Sequence, residues 1–164
     1  MSANGMRTEA TQRGFTLIEL VTIMILLGIL AVVALPHFNL TDFAAARFRD
    51  EALSGLRYAQ KAASSHRRLV CASLAERRID FAIATTSGTT TCTGTTPLPL
   101  PANGQAQVST SDSGVSLSAT SGTLPATLFF RPDGTIDEGG AWINRTLSIN
   151  GLTITLTGET GLVQ

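Results

Sequence analysis

One stretch near the start of the chain decides the fold: Arg13-Gly14-Phe15-Thr16-Leu17-Ile18-Glu19-Leu20, with the apolar run that follows it to Leu35. The 21 residues from Phe15 to Leu35 would span about 31 Å as an α-helix, which is close to the hydrocarbon thickness of a bilayer. Glu19 is the only charged residue among them. A carboxylate at membrane depth costs roughly 2.5–3.5 kcal/mol, so it marks a function and needs a partner. The stretch predicts a transmembrane helix over residues 15–35 with one functional acid.

An amine is the partner that fits this acid best. If the chain is cut between Gly14 and Phe15, the new α-amino group lies four residues before Glu19. At that spacing it shares a helical face with the carboxylate, or it stands opposite the carboxylate of a neighbouring copy. In either arrangement the two buried charges neutralise each other.

The stretch Gly14–Glu19 resembles the class III signal of type IV pilins and type II secretion pseudopilins. The resemblance implies that residues 1–14 are a prepilin leader, that a prepilin peptidase cleaves before Phe15, and that Phe15 is then N-methylated. It also implies that Glu19 aligns subunits during assembly and that Pro36 bends the helix. The partners it implies are the prepilin peptidase, other pilin or pseudopilin subunits, the inner-membrane assembly platform and membrane lipid.

Two other interpretations of this region stay open. Arg7 and Arg13 before an apolar segment also fit an ordinary secretory signal peptide, cut after Val32–Ala34, although the segment is longer than the ~7–15 residues usual there. The other is an uncleaved membrane anchor. Whether the helix is a pilin-type anchor or an uncleaved one, the arginines precede the span and Asp42 is the nearest charge after it. This distribution favours a cytoplasmic N-terminus. The expected location is the bacterial inner membrane, single-pass, with the rest of the chain in the periplasm.

The composition leaves room for one modest domain besides the anchor. The chain has 164 residues, of which 12 are basic and 12 are acidic, so the formal net charge is zero. The signs are unevenly distributed, because eight of the basic residues lie between Arg47 and Arg78, whereas the chain from Asp80 onward has two arginines and six acids. Such asymmetry is typical of proteins that bind a charged partner, and it says nothing about the fold.

Cys71 and Cys92 are the only cysteines. In a domain exported to an oxidising compartment an even number of cysteines favours a disulfide, and closing a loop of about 20 residues would contribute roughly 3 kcal/mol. Two unpaired thiols are the alternative. A zinc site is less favoured, because neither cysteine has a second ligand at zinc-site spacing.

The residues after Pro36 predict an amphipathic continuation of the helix over residues 36–66. Apolar side chains recur at helical spacing between Asn39 and Ser65, whereas the charged residues fall elsewhere, so that one face is apolar and the other charged. The apolar face should lie against whatever follows in the chain. Its positions are Ala45, Phe48, Ala52, Leu56, Ala59 and Ala63.

Residues 67–164 predict a β-rich globular domain. Segments 69–74 and 79–83 are short and bulky or alternating, and they predict a hairpin. Residues 85–114 are rich in Thr, Ser, Gly and Pro, a composition that favours a long, mobile, exposed loop.

Strand character resumes at residues 114–119 and 127–131, and a turn follows at 132–134. The clearest hairpin comes last, because residues 146–156 alternate apolar and polar side chains around Asn150-Gly151, a strong two-residue turn signal. The elements together predict an α+β fold: a long N-terminal helix, half transmembrane and half amphipathic, packed on an antiparallel sheet or a pair of sheets.

This architecture is pilin-like, and later segments sharpen the resemblance. Residues 44–48 and 56–63 are similar to the helix of the GspH/FimT branch of minor pseudopilins and minor pilins, and residues 130–134 and 160–163 resemble that branch's later blocks. The paired cysteines are also compatible with minor pilins of MSHA-type operons. The resemblance implies a minor pilin or pseudopilin precursor, a structural subunit of a type II secretion pseudopilus or a type IV pilus.

No catalytic constellation emerges, so we do not expect an enzyme. Only His37 and His66 are available as histidine bases, and neither accompanies a nucleophile motif. Asp133, Asp137 and Glu138 offer oxygens to calcium, but their spacing is not that of a defined calcium loop. We therefore expect neither a metal nor a cofactor.

Nucleic acid is the alternative partner. Eight basic residues would follow a phosphate backbone if they converged in space. Minor pilins of the FimT type that serve in DNA uptake have a basic C-terminal tail, whereas Gly158–Gln164 carries Glu159 and no basic residue. We do not expect nucleic acid binding, and a membrane-anchored DNA-binding minor pilin is kept as the alternative function. The eight residues are Arg47, Arg49, Arg57, Lys61, Arg67, Arg68, Arg77 and Arg78.

Overall fold

The computed structural model describes residues 15–34 and 39–164. These residues form two compact units, one before Leu40 and the other from Leu40 to Gln164. The predicted leader over residues 1–14, with the cleavage position Gly14, lies outside the described residues, and so do Pro36 and His37.

The first unit contains helix α1, Leu17–Ala34, which has 18 residues. Every side chain from Phe15 to Val32 is exposed. Neither α1 nor any other helix in residues 15–34 and 39–164 combines the length and apolarity needed to cross a membrane. The transmembrane segment over residues 15–35 stays a prediction.

The second unit begins with helix α2, Leu40–His66, which has 27 residues. All six apolar positions that share a helical face in the sequence are buried, together with Gly55 and Ala62. The helix ends in a Schellman arrangement, in which Arg67 adopts a left-handed φ of 51° and the Arg68 N–H donates to the Ala63 carbonyl at 3.2 Å.

Ten strands follow within residues 67–164, and all their pairings are antiparallel. The strands are β1 Val70–Ala75, β2 Arg78–Ala84, β3 Thr95–Pro97, β4 Gln107–Ser109, β5 Leu117–Ala119, β6 Ala126–Phe130, β7 Ile136–Asp137, β8 Asn144–Ile149, β9 Leu152–Thr157 and β10 Leu162–Val163. One sheet has the strand order β3-β2-β1-β6-β7, with β4 also paired to β2, and the other has the order β10-β9-β8-β5.

Both predicted hairpins are confirmed. β1 pairs with β2 from Val70↔Ile83 to Ala75↔Arg78, which leaves a two-residue turn where the sequence suggested four. β8 pairs with β9 up to Ile149↔Leu152, and the turn residues Asn150 and Gly151 have φ values of 48° and 88°. Positive φ at both central residues is the type I′ geometry that Asn-Gly favours.

The prediction of one long loop over residues 85–114 is wrong in part. β3 and β4 lie within it, and both add to the same edge of β2. Leu98, Leu100 and Val108 of this segment are buried. Strands of three residues are too short to show a period, because their hydrogen bonds come from the open edge of β2 and not from a local pattern.

The main core lies where α2 packs on both sheets, with contacts to β1, β8 and β9 among others. Its largest fully buried side chains include Phe81, Phe130 and Leu56. The fold is therefore α+β, a helix on antiparallel sheets, as predicted. A second, smaller cluster contains Leu69 and Ala84 together with Cys71.

Candidate functional site

The start of α1 is fixed by Thr16. Its hydroxyl accepts a hydrogen bond from the Glu19 N–H at 3.3 Å, and its carbonyl accepts one from the Leu20 N–H at 3.2 Å. Thr16 is therefore the N-cap, and Glu19 is the third residue of the helix. Phe15 precedes the cap and stands outside the helix, with 81% of its surface exposed. The sequence contains a signal for this cap, Thr-x-x-Glu before an apolar run, but the cap is not among the predictions made above.

The Glu19 carboxylate makes no hydrogen bond or ion pair with the rest of residues 15–34 and 39–164. The bonds of Glu19 beyond the regular helix pattern involve its backbone: its N–H donates to Thr16, and its carbonyl accepts the Thr22 hydroxyl at 2.9 Å. In the reciprocal form of this cap the glutamate would bond back to the N-cap N–H. Here the carboxylate stays available to a group from outside the described chain, in the first helical turn where negative charge is favoured.

A positive amine at Phe15 would be disfavoured by the same end of the helix that favours the Glu19 carboxylate. The N-terminal end of a helix carries a partial positive charge, which destabilises a cation placed there. An α-amino group created at Phe15, next to the Thr16 cap, would therefore be unfavourable without a compensating negative charge, and a Glu19 carboxylate is such a charge.

The surface that follows is apolar all round. Leu17 is 82% exposed, and the side chains that follow it to Val32 are exposed too. A helix without a polar face is buried in a larger protein core or in lipid, because neither its front nor its back suits water. This surface is suited to contact with a large apolar environment.

Three acids near β7 are held by neighbours of their own chain. Asp137 is ion-paired with Arg131, and its other oxygen accepts the N–H groups of Gly139 at 2.7 Å and Gly140 at 3.1 Å. Burial alone would raise the pKa of Asp137, but the hydrogen bond from Arg131 and those from the two glycines outweigh it and lower the pKa from its ordinary value. The same contact with Asp137 raises the pKa of Arg131.

The other two acids are also engaged. Asp133 accepts the Thr135 N–H at 3.0 Å and its hydroxyl at 2.7 Å, and these bonds lower the pKa of Asp133. Glu138 accepts a bond of 2.9 Å from Arg145, which is only 6% exposed. Within the described stretches no three His, Cys, Asp or Glu side chains form a group that suits a metal ion.

The basic residues do not converge. Arg67 and Arg68 precede β1, whereas Arg77 and Arg78 follow it, so a strand of six residues, or about 20 Å, separates the pairs. Four of the basic groups are bound within the same chain: Arg47 to Glu51 at 2.8 Å, Arg49 to Asp50 at 3.0 Å, Arg57 to the Val163 carbonyl at 2.9 Å and Arg78 to Asp80 at 2.8 Å. The condition for a continuous phosphate-binding track is not met.

Cys71 and Cys92 form a disulfide in the structure, with their Cα atoms 6.1 Å apart. Cys71 lies on β1, and the bond holds the segment after β2 against the small cluster that also contains Phe129. His66, the other histidine considered as a base, is the last residue of α2 and is exposed.

Comparison with known families gives one match. The model described as "Prokaryotic N-terminal methylation motif" matches residues 10–35. The curated proteins and the solved structures gave no match. The chain therefore carries the type IV pilin-like prepilin motif over the region where Thr16 caps α1 and the Glu19 carboxylate is available. The motif implies a membrane-associated pilus subunit that meets a prepilin peptidase and other pilin subunits.

Proposed function

We propose that this chain is the precursor of a minor pilin or pseudopilin, a structural subunit of a type II secretion pseudopilus or of a type IV pilus. The observation that carries the proposal is the N-terminal methylation motif over residues 10–35. The available Glu19 carboxylate and the exposed apolar side chains that follow it to Val32 support an assembly role. The blocks that resemble GspH and FimT support membership of that branch as part of the proposal.

The proposed pathway starts with a precursor in the bacterial inner membrane, its N-terminus cytoplasmic and its Leu40–Gln164 unit periplasmic. Prepilin peptidase removes residues 1–14 and the new N-terminus at Phe15 is methylated. The proposed anchor covers residues 15–35, three residues more than α1. The inner-membrane assembly platform then moves the subunit from lipid into the filament, where apolar helices replace the lipid around it.

Glu19 provides the specificity of this step. In lipid its charge is costly, and a Phe15 amine of a neighbouring subunit removes that cost at one register only. A misregistered neighbour leaves both charges unpaired in an apolar environment, which is strongly unfavourable. Pro36 would supply the bend between the anchor and the following helix.

The first test is the N-terminal sequence and the intact mass of the protein from native membranes. A start at Phe15, with one additional methyl group, supports the pathway. A start at Leu35 identifies an ordinary signal peptide and overturns the proposal, as does an intact N-terminus in cells that contain an active prepilin peptidase.

Glu19→Val is the second test. We expect the variant to insert into the membrane normally but to enter filaments at least about tenfold less well, since an unpaired buried charge costs well over 1.4 kcal/mol. Thr22→Val is the matched control, because it also removes a polar group from α1 but leaves the carboxylate. Incorporation of both variants at the wild-type level would refute the charge-docking mechanism.

The alternative function is a membrane-anchored minor pilin that binds DNA for uptake. The separation of the two arginine pairs by β1 counts against it. A mobility-shift titration of the full-length protein in detergent tests it, because a phosphate-driven complex weakens steeply with salt.

A further inference from the structure

Residues 85–96 lead from the end of β2 into β3 and have a strongly biased composition. We call them the threonine segment, because eight of the twelve are threonine and a ninth, Ser87, also carries a hydroxyl. No charged residue occurs from Phe81 to Ser111, and Pro97, Pro99 and Pro101 follow the segment directly. Hydroxyl residues combined with proline are typical of segments that carry O-linked sugars.

The threonine segment is exposed, and its base is held by the fold. Seven of its nine hydroxyl residues are exposed, whereas Thr89 and Thr95 are half-buried. The N–H and the hydroxyl of Thr85 both donate to the Gly94 carbonyl, at 3.2 Å and 2.9 Å, and they close the loop. The disulfide at Cys92 attaches the loop to β1. The segment is therefore a loop with fixed ends and accessible hydroxyls.

Two hydroxyls of the segment differ from the other seven. The side chains of Ser87 and Thr90 are exposed and make no hydrogen bond with any residue that the structure describes. A Cβ at Gly88 would meet nothing within 4 Å, so the space beside Ser87 is open. The hydroxyls of Ser87 and Thr90 can therefore react without the loss of a bond of the fold. The other hydroxyls are bonded: Thr85 to the Gly94 carbonyl, Thr86 to Thr89, Thr91 to Thr93, Thr95 to the Cys92 carbonyl and Thr96 to the Ile83 carbonyl.

The composition of the segment does not suit the common classes of bound partner. Nucleic acid is bound mainly through Lys and Arg, and calcium mainly through carboxylates, but the segment contains neither a basic nor an acidic residue. Ser and Thr are under-represented among the residues that dominate protein–protein interfaces. Covalent modification is the use that fits these hydroxyls best.

An attached sugar would protect an otherwise unprotected edge. β3 is the outer strand of its sheet, and none of its three residues is charged. An exposed, uncharged stretch of β-branched residues beside such an edge favours pairing with other chains and aggregation. Proteins usually prevent this with charged side chains. A bulky, hydrated sugar on the neighbouring loop would prevent it without charge.

We propose that Ser87 and Thr90 are acceptor hydroxyls for O-linked glycosylation. The donor is a sugar whose anomeric carbon is bonded to phosphate, as in nucleotide-linked and lipid-linked sugars. The hydroxyl oxygen attacks this carbon, the bond from the carbon to the phosphate oxygen breaks, and the phosphate leaves with the electron pair. The hydroxyl proton passes to a base of the transferase, so the step needs no oxidant or reductant. The inference goes beyond the proposed function, because it requires neither the leader nor a filament.

The test is a peptide map of the full-length protein from native membranes. After reduction of the disulfide, cleavage before Asp80 and Asp112 releases residues 80–111 as one peptide. We expect this peptide to be heavier than its sequence by one or more whole sugar residues. Fragmentation by electron transfer, which leaves O-linked sugars in place, should locate them on Ser87, Thr90 or both. The same chain produced in a host without protein glycosylation supplies the mass of the bare peptide.

Matched variants separate these two hydroxyls from the rest of the segment. Ser87→Ala with Thr90→Val should remove the added mass. Ser87→Thr with Thr90→Ser should keep it, because both hydroxyls remain. Thr91→Val with Thr93→Val should also keep it, although it removes two exposed hydroxyls, because these are bonded to each other at 2.8 Å.

A bare 80–111 peptide from native membranes would overturn the inference, and so would an added mass that corresponds to phosphate. An added sugar that persists in Ser87→Ala with Thr90→Val would overturn the assignment of the acceptors. The N-terminal peptide of the same digest reports the start of the chain independently. A start at Phe15 together with a bare peptide leaves the proposed function standing, whereas sugar on chains with another N-terminus supports the inference and refutes the proposed function.

Discussion

The two helices of this chain differ in how their surfaces are used. Each side chain of α1 from Leu17 to Val32 is exposed, whereas α2 buries eight residues against the strands of its own unit. The conformation of α2 is thus stabilised by the same chain that forms it. In the proposed function, the apolar surface of α1 is covered by lipid and then by other subunits. We therefore expect substitutions in α2 to affect the stability of the folded unit and substitutions in α1 to affect assembly. Single substitutions in each helix test this difference.

The largest expected effect is the loss of a buried aromatic side chain from α2. Phe48 is 2% exposed, and Phe48→Ala should lower the free energy of unfolding by about 3–5 kcal/mol because it leaves a cavity. Leu27→Ala in α1, where the side chain is 59% exposed, should change it by less than about 0.5 kcal/mol. Urea unfolding of the full-length protein in mild detergent measures both. Equal losses of unfolding free energy in the two variants would contradict the proposed difference between the helices.

Removing the disulfide should also affect only the second unit. Cys71→Ser with Cys92→Ser should lower the free energy of unfolding by about 2–4 kcal/mol, because the unfolded chain gains freedom when the loop opens. The segment between β2 and β3 should become sensitive to protease. Reductant should destabilise the wild type and leave the double variant unchanged, and a reductant effect on the variant would contradict this explanation.

Two glycines give a matched comparison, with an intermediate effect on unfolding expected at Gly55 and none at Gly28. A Cβ at Gly55 of α2 would lie 2.9 Å from the Phe81 ring, so Gly55→Ala should lower the free energy of unfolding by about 1–3 kcal/mol. A Cβ at Gly28 of α1 would meet nothing within 4 Å, and Gly28→Ala should leave the unfolding of the Leu40–Gln164 unit unchanged. If Gly28→Ala nevertheless impairs filament incorporation, close helix packing in the assembly is the explanation, since small residues let helices approach.

The last expected effect depends on pH and concerns Asp137, whose contribution is present at neutral pH and disappears in acid. Its pKa is lower in the folded protein than the ordinary value of about 3.9, so its ionised form stabilises the fold above that value. This contribution is lost as the pH falls through the lowered pKa, where the folded carboxyl is protonated as well. Asp137→Asn should flatten the acid side of the stability profile, measured by urea unfolding at stepwise lower pH. The exposed Glu159→Gln is the control and should leave the profile as it is.

Local patterns predicted the elements whose geometry is decided locally. Asn150-Gly151 adopts the positive φ values that its turn requires, and the alternation around it places Ile154 and Leu156 in the core. The apolar spacing of α2 predicted which residues are buried. The cap at Thr16 was not predicted, although its signal also lies within four consecutive residues. In these cases residues close in sequence determine the structure.

The rest depended on contacts between residues far apart in sequence. β3 and β4 form because β2 has an open edge. β10 has only two residues, and these pair with Thr157 and Leu156 of β9. No local period in the sequence encodes these encounters, so they were not predictable from it.

The disulfide has a consequence for a subunit under load. A subunit drawn from the membrane by its N-terminal segment while its globular part is held would be pulled along its own chain. Cys71 and Cys92 are 21 positions apart in sequence, but the disulfide keeps their Cα atoms 6.1 Å apart. The segment between them, which would reach about 70 Å when fully extended, therefore cannot be stretched while the disulfide is intact. Force that enters at α2 therefore passes from β1 directly to the segment beyond β2 and bypasses the hairpin between them. The hairpin next to the core becomes a mechanically protected element.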